Sequence, residues 1–239
     1  MEMELKDKVV LVTGGGTGIG RATCIKLARN GARIGLNYNR SEQDAMSTAS
    51  ELEDMGAEVM LLKADVSQET EVRKMVEQAA SRFGTIHYLV NNASITKQIA
   101  LSDLDAVTDE IWDTLLDVNL KGMFYCARAV APYMKENKIG SILNVGSIAG
   151  ITGSGSSLPY AVSKAAAHGL TKSLAHALAP EIRVNCIAPA AVSTRWWEGE
   201  EEKMQRLSGH LPLQRISTPE GARPRVGSLL GVFFDGGKR

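Results

Sequence analysis

Short apolar runs and longer amphipathic stretches alternate along most of this chain. The apolar runs predict buried β-strands at positions 8–13, 32–38, 58–62, 88–91, 141–145 and 183–187. Between them, apolar residues recur at helical spacing and predict α-helices at 18–30, 42–55, 69–83, roughly 109–135, and 160–178. Strands that alternate with helices form right-handed βαβ units, so the pattern predicts an α/β domain with a parallel sheet and helices on both faces.

Composition and charge narrow the classes of partner. The 239 residues are 44% hydrophobic, enough for one full core, and nothing resembles a linker, so a single domain over 1–239 is predicted. Lys+Arg and Asp+Glu both number 27, which gives no net field to attract nucleic acid or an anionic membrane. The amino terminus lacks the apolar stretch of a signal peptide, and no apolar run could span a bilayer, so we expect a cytoplasmic protein without membrane association.

The three cysteines give no sign of a disulfide framework or a metal site. Cys24, Cys126 and Cys186 are odd in number and far apart, and none belongs to a CxxC pair. We therefore expect buried, reduced thiols and no bound metal.

A glycine-rich loop follows the first predicted strand. Residues 13–20 read TGGGTGIG and lead directly into the first helix. Such glycines allow a tight turn and a close approach of the backbone to a pyrophosphate, while the helix start offers free N–H groups. In isolation the loop could be a plain turn, but its place between strand and helix predicts a dinucleotide site.

Tyr160 and Lys164 are four residues apart on a predicted helix and therefore share one face. An isolated pair of this kind is usually only a helix surface. A nearby ammonium, however, favours the phenolate and lowers the pKa of a tyrosine, which is otherwise about 10. The pair could therefore move a proton at neutral pH.

Further motifs follow the glycine loop in a fixed order. They are Asp65 in ADVS, Asn91-Asn92-Ala93-Ser94, Asn119 in DVNLKG, Ser147 in NVGSIAG, Tyr160 to Lys164 in YAVSK, and Pro189 to Thr194. Over about residues 8–220 this order resembles the short-chain dehydrogenases/reductases, in particular members similar to 3-oxoacyl-(acyl-carrier-protein) reductases. The resemblance implies a single doubly wound Rossmann domain whose parallel sheet has six or seven strands, in the order 3-2-1-4-5-6-7. It also implies a homo-oligomer, either a tetramer or a dimer.

The activity implied by the resemblance is hydride transfer between a nicotinamide cofactor and a small carbonyl or alcohol, with a 3-oxoacyl thioester as one candidate substrate. Four residues match the family's catalytic positions. Ser147 would bond the substrate oxygen, Tyr160 would transfer the proton, and Lys164 would lower the pKa of Tyr160 and hold the nicotinamide ribose. Asn119 would hold a water that connects Lys164 to solvent.

The residues expected to bind the cofactor lie at the ends of the predicted strands. They are Gly14, Thr17, Gly18, Ile19, Gly20, Arg21, Asn39, Arg40, Ser41, Asp65, Val66, Asn92, Ala93, Tyr160, Lys164, Pro189, Val192 and Thr194. After the second strand there is no carboxylate for the ribose 2′-hydroxyl of NAD, whereas Arg40 and Ser41 can bond a 2′-phosphate. We therefore expect NADP(H) to be favoured over NAD(H). The alternative reading makes Arg40 an ordinary solvated charge, and Asp65 a simple turn former.

Several segments depart from the family pattern. Ser94 and Ala190 stand where glycine is usual, and His87 stands where aspartate is frequent; we expect only structural consequences from His87. Residues 193–216 match a substrate-covering loop, in which Trp196-Trp197 could line an apolar site or anchor the loop. Residues 221–239 form a shortened carboxyl-terminal segment whose glycines and Pro224 disfavour the usual helix, although 230–234 could form a seventh strand.

Two other functions remain open at this stage. The altered carboxyl terminus would suit a catalytically silent dinucleotide-binding protein with a regulatory or structural role, whereas the complete catalytic set argues against it. A sugar-nucleotide epimerase would need a further substrate domain, for which 239 residues leave little room. The substrate itself would be selected mainly by loops near 94–108, 148–158 and 190–212.

Overall fold

The computed structural model describes residues 5–199, 202, 204 and 215–221. Its centre is a parallel sheet with the strand order β3-β2-β1-β4-β5-β6. The strands are β1 (Val9–Val12), β2 (Arg33–Tyr38), β3 (Val59–Lys63), β4 (Tyr88–Asn91), β5 (Gly140–Val145) and β6 (Ile182–Ile187). The predicted α/β fold and the order of these strands are confirmed. The predicted seventh strand, at 230–234, lies outside the described residues.

The helices lie on both faces of the sheet, as the sequence pattern indicated. They are α1 (Gly18–Ala28), α2 (Glu42–Asp54), α3 (Glu69–Phe83), α4 (Asp109–Leu116), α5 (Gly122–Glu136), α6 (Ala149–Thr152) and α7 (Leu158–Leu178). Helix α7 begins two residues before the predicted start because the hydroxyl of Ser157 accepts a hydrogen bond from the Tyr160 N–H, at 3.4 Å, and caps it. Pro159 in the first turn needs no hydrogen-bond partner for its nitrogen.

The long helix predicted at roughly 109–135 is interrupted. Helices α4 and α5 are joined by a π-helical segment, Asp117–Lys121, in which the backbone makes one wider turn. The wide turn adds about one residue to the helical repeat, a shift too small for the approximate apolar pattern at 109–135 to locate. Asn119 lies in this segment.

Two apolar layers cover the sheet. Alternate residues of β1 enter different layers: Val9 and Leu11 pack towards α3 and α5, and Val10 and Val12 pack towards α1 and α2. This is the period-two alternation of a strand that is buried on both faces. The carboxyl ends of the strands therefore meet along one edge, between the two helical layers.

The cysteines, His87 and the apolar helices can each be described briefly from the structure. Cys24 and Cys126 are buried and Cys186 is partly buried, all as free thiols. The ring nitrogen Nδ1 of His87 accepts a hydrogen bond from the Val9 N–H at 3.1 Å, a purely structural contact. In the described part of the chain, no helix has the length and apolarity to cross a membrane, and no group of potential metal ligands is found.

Candidate active site

The glycine loop joins β1 to α1, and its glycines are required by the close packing of the loop. Gly14 and Gly18 have positive φ angles, 62° and 53°, which a side chain would strain. A Cβ on Gly20 would lie 2.1 Å from the Gly14 carbonyl oxygen, so only glycine fits there. Thr17 precedes α1 without a side-chain cap. This loop and uncapped helix start fit a pyrophosphate, as expected of Thr17, Gly18, Ile19 and Gly20.

Asn37, which the sequence analysis did not single out, holds the glycine loop. Its side chain is buried in β2, where its oxygen accepts from the Gly14 N–H at 3.2 Å. Its amide nitrogen donates to the carbonyls of Leu62 and Ala64 in or beside β3, at 3.1 and 3.0 Å. A polar side chain inside a buried apolar strand was the available signal, because such a group needs partners.

Asn92 and Ala93 join the glycine loop to the end of β4. The Thr13 hydroxyl accepts hydrogen bonds from both backbone N–H groups, at 2.9 and 3.0 Å. The Asn92 side chain donates in turn to the carbonyls of Thr13 and Gly14. The two residues thus fix the central strand ends on either side of the predicted pyrophosphate site.

The predicted adenosine end lies where β2 and β3 finish. Asn39 donates a hydrogen bond to one carboxylate oxygen of Asp65, at 2.9 Å, and Ser67 donates to the other. Asp65 therefore forms a turn with Ser67 and also joins two strand ends. Val66 is buried against Gly122 of α5, where a Cβ would approach within 2.9 Å.

The basic residues expected near a 2′-phosphate have different partners. Arg40 is exposed, and within the described residues it makes no hydrogen bond or ion pair. Ser41 precedes α2, and its hydroxyl accepts from Arg195 at 2.5 Å. Arg21 is ion-paired with Glu51 of α2, so in this structure it braces two helices beside the loop.

Tyr160 and Ser147 come together from α7 and the end of β5. The Ser147 side chain faces the Tyr160 phenol, while the Ser147 oxygen accepts a hydrogen bond from the Ala149 N–H at 3.1 Å. Burial raises the pKa of Tyr160, and the neighbouring Ser147 side chain opposes this as the smaller effect. The lowering expected from Lys164 is not among the causes acting on this phenol.

Lys164 lies one turn along α7 and is 2% exposed. Its ammonium donates to the Val145 carbonyl at 2.9 Å and lies 5.8 Å from the centre of the Tyr160 ring. Burial lowers the pKa of Lys164 to about 8, and the neighbouring Cys186 opposes this shift. The ammonium is thus turned towards the end of β5, which explains why its charge does not dominate the pKa of Tyr160.

Asn119 is fully buried, and its side-chain amide is saturated. The oxygen accepts from the Ser94 hydroxyl and the Ile95 N–H, both at 2.9 Å. The nitrogen donates to the Ile95 carbonyl at 3.0 Å and to the Ser163 hydroxyl at 3.1 Å. Four bonds exhaust a carboxamide, so a water relay at this residue would have to use its main-chain carbonyl. Ser94, a departure from the family pattern, supplies one of these bonds.

A second buried network supports α7 from behind. Asn91 of β4 donates to the Asn144 side-chain oxygen of β5, and Asn144 donates to the Thr171 hydroxyl of α7, each at 2.9 Å. Thr171 in turn donates to the Ala167 carbonyl. The network joins two central strands to the helix that carries Tyr160 and Lys164. Only the buried positions of its members reveal it.

The segment after β6 crosses the open edge of the site. Pro189 accepts a hydrogen bond from the Ile148 N–H, and Val192 is bridged to Ser217. The methyl carbon of Thr194 lies 3.3 Å from where a Gly18 Cβ would stand. Thr194 also caps a single 3-10 turn, Arg195–Trp197, through the Trp196 N–H.

Trp196 covers the predicted catalytic tyrosine. The ring centres of Trp196 and Tyr160 lie 5.5 Å apart at an interplanar angle of 55°. Trp197 instead anchors the turn, because its indole N–H donates to the Val192 carbonyl at 3.1 Å. The two readings weighed for this tryptophan pair are thus divided between its members: one lines the site and the other holds the loop.

Comparison with known proteins agrees with this geometry. The family model described as short chain dehydrogenase matches residues 8–205. A 3-oxoacyl-(acyl-carrier-protein) reductase of Thermotoga maritima is 37% identical over 220 residues, which cover 91% of this chain and 88% of that protein.

Two solved structures have the same fold and carry different cofactors. A short chain dehydrogenase of Burkholderia cenocepacia J2315 in complex with NADP has a TM-score of 0.87 at 30% identity, with 96% of this chain and 92% of that chain covered. An NAD+-bound xylitol dehydrogenase has a TM-score of 0.88 at 29% identity, covering 96% of this chain and 94% of that one.

Proposed function

Because this chain belongs to the short-chain dehydrogenase/reductase family and acts on CH–OH or C=O groups, we propose that it is an NADP(H)-dependent oxidoreductase of small carbonyls or alcohols. A 3-oxoacyl thioester is the substrate class we propose first, since the Thermotoga maritima relative is named for that reaction. The observation that carries the proposal is that Ser147, after β5, faces Tyr160 of α7, one turn from the buried Lys164. The loop after β1 in addition requires glycine at Gly14 and Gly20.

In the direction of reduction, Tyr160 donates a proton to the substrate oxygen. Burial keeps the pKa of Tyr160 above its ordinary value, so the phenol is protonated at neutral pH and can act as the acid. Ser147 faces the Tyr160 phenol and is therefore within reach of an oxygen placed beside that hydroxyl. A bound nicotinamide would supply or accept the hydride.

Lys164 provides the positive charge near Tyr160 and Ser147. With a pKa of about 8 it is mostly protonated at pH 7, and its ammonium can orient a ribose hydroxyl while it remains bonded to Val145. We assign the cofactor's phosphates to the glycine loop and its adenosine end to Asn39, Asp65 and Val66.

NADP(H) is proposed over NAD(H) because the end of β2 offers a cation and no carboxylate. Arg40 is exposed and unpaired within the described residues, next to the hydroxyl of Ser41. A phosphate dianion would be stabilised there, whereas the 2′-hydroxyl of NAD would find no carboxylate at the strand end to accept its hydrogen bond.

The test is a screen of NADPH oxidation against β-ketoacyl thioesters, diketones, quinones and sugars, each repeated with NADH. Turnover that prefers NADPH and is absent from the Tyr160→Phe protein would support the proposal. Tight NADPH binding without turnover on any of the four classes would contradict it and favour the silent dinucleotide-binding alternative.

A further inference from the structure

The 3-10 turn Arg195–Trp197 touches both ends of the cofactor cleft. On one side the Trp196 ring lies against Tyr160. On the other side the Arg195 guanidinium bonds Asp44 at 2.6 Å and Ser41 at 2.5 Å, at the start of α2. These partners lie about 150 residues away along the chain, so the contacts are entirely tertiary.

The glycine loop lies between those two ends. Thr194, the residue before Arg195, packs over Gly18. The first turns of α2 pack against Gly16, where a Cβ would lie 3.0 Å from Ala45 and where the Thr48 hydroxyl bonds the Gly16 carbonyl. Arg195 therefore reaches from the substrate-covering loop across the predicted pyrophosphate site to the end of β2.

Around Ser41, in the part of the chain that the structure describes, one positive charge has no partner, and one negative charge is paired with a residue from a distant loop. Arg40 is an exposed cation without a hydrogen bond or ion pair among the described residues, while Asp44 is an exposed acid in the first turn of α2. Asp44 would repel a phosphate held at Ser41, and Arg195 is the cation that neutralises it. A guanidinium has a planar fork of donors that can bond a phosphate and a hydroxyl together.

We propose that Arg195 is a specificity-determining residue that binds the 2′-phosphate of an NADP-type cofactor together with Arg40 and Ser41. This inference rests on the NADP(H) preference proposed above. In the present structure the Arg195 guanidinium is paired with the Asp44 carboxylate. A bound 2′-phosphate would either displace that carboxylate or bond the guanidinium together with it. Because Trp196 follows Arg195 directly, the same contact would keep the tryptophan against Tyr160, where it already lies.

The test measures binding by titration calorimetry, without turnover. The probes are NADP+ and NAD+, and the fragments adenosine 2′,5′-bisphosphate and AMP, which carry or lack the 2′-phosphate. Arg195→Ala should raise the dissociation constants of NADP+ and the bisphosphate about tenfold, the value of one charge-assisted contact, and those of NAD+ and AMP less than about twofold. Arg195→Lys should retain part of the affinity, because it keeps the charge without the fork.

Two further variants complete the test: one should tighten NADP+ binding, and the other should leave it unchanged. Asp44→Asn should tighten NADP+ binding about threefold, because it removes a negative charge beside the phosphate while leaving NAD+ unchanged. Arg82→Ala is the matched control: Arg82 is 55% exposed and paired with Glu58, much as Arg195 is 53% exposed and paired with Asp44, but it lies on α3. It should change no dissociation constant.

The outcomes separate this inference from the proposed function. Wild-type protein that prefers NADP+, with Arg195→Ala weakening both dinucleotides equally or neither of them, would overturn the role of Arg195 alone. Wild-type protein without a preference for NADP+ over NAD+ would overturn the proposed cofactor and, with it, this inference.

Discussion

The polar residues around Asn119 and those around Ser41 lie in opposite surroundings. Asn119 is buried, and every donor and acceptor of its side chain has a partner. Lys164, nearby on α7, is also buried and bonded to Val145. At the end of β2, by contrast, Arg40, Ser41 and Asp44 lie at or near the surface, where the partner of Ser41 comes from a distant loop.

The difference shows how firmly each region fixes its chemistry. In the inner network an unsatisfied group stays buried, so losing a partner costs free energy of unfolding as well as activity. At the outer edge, water and salt compensate for lost partners, so charges there can exchange ligands at little cost to folding. The proposed proton transfer thus lies in the buried, fully bonded region, and the proposed cofactor discrimination lies at the exposed edge.

The largest effect is expected from Tyr160→Phe. Removing the proposed acid should lower kcat about 1,000-fold, in the range of general acid catalysis. Cofactor affinity should change little, because the ring and its contact with Trp196 remain. Stopped-flow turnover and calorimetric binding measure the two effects separately. Tyr133→Phe, a partly buried tyrosine of α5, is the control; a Tyr160→Phe protein with most of its kcat would exclude the mechanism.

Asn119→Ala should affect folding and activity together. It leaves Ile95 and the hydroxyls of Ser94 and Ser163 without their partner in a buried site, at a cost of about 3 kcal/mol in the free energy of unfolding. Urea denaturation measures that cost. Ser94→Gly removes one bond of the same set and should cost about 1 kcal/mol. Equal stability of Asn119→Ala and the wild type would show that the network is not closed as described.

Lys164→Met should abolish turnover and yet stabilise the protein at neutral pH. The folded pKa of Lys164, about 8, is below its ordinary 10.5, so the unfolded chain binds more protons between these values and wild-type stability rises with pH through that window. Below pH 8 the buried charge costs about 3 kcal/mol, from which the lost bond to Val145 subtracts about 1 kcal/mol.

Urea denaturation at pH 7 and pH 10 tests this sign. Lys164→Met should be the more stable protein by about 2 kcal/mol at pH 7, and the advantage should vanish by pH 10. Lys172→Met, an exposed lysine of the same helix, should show no such dependence. A difference that does not vary with pH would mean that the pKa of Lys164 is not shifted.

The smallest effect is expected at the outer edge. Arg40→Ala should raise KM for NADPH about tenfold and leave KM for NADH nearly unchanged, since one charge-assisted contact is lost. Raising the ionic strength should reduce the difference, because the side chain is exposed. Folding stability should not change. A clear preference of the wild type for NADH, undisturbed by this substitution, would defeat the proposed cofactor.

The fold could be predicted almost completely from the sequence, and the site only in part. Apolar periodicity located the six strands, because a strand buried on both faces reads as a short continuous apolar run. Their order in the sheet came from the family resemblance, and the structure confirms it for these six strands. The glycine loop was also readable, since Gly14 and Gly20 have requirements that no other residue meets. The π-helical segment around Asn119 was not, because a shift of about one residue in the apolar repeat is too small to read from the pattern.

The hydrogen bonds that hold the site together could not be predicted from the sequence for a different reason. Little in the sequence marks Asn37, Asn144 or Thr171 as important. Their hydrogen bonds matter because these side chains are buried, away from water that could replace a lost partner. The expected effect of Lys164 on the pKa of Tyr160 was likewise derived from their spacing on one helix. In the structure burial of the phenol sets the direction of its pKa shift, and the ammonium of Lys164 bonds the Val145 carbonyl instead.

The sequence by itself determined the parallel sheet, the glycine loop and the placing of Ser147, Tyr160 and Lys164 after the fifth strand. These depend on local periodicity, backbone freedom and chain order, which are properties of the sequence. Only the tertiary structure decided which charges are buried, which side chains saturate Asn119, and that Arg195 reaches Ser41. Burial and long-range contacts fix pKa values and partners, because both depend on residues that are far apart along the chain.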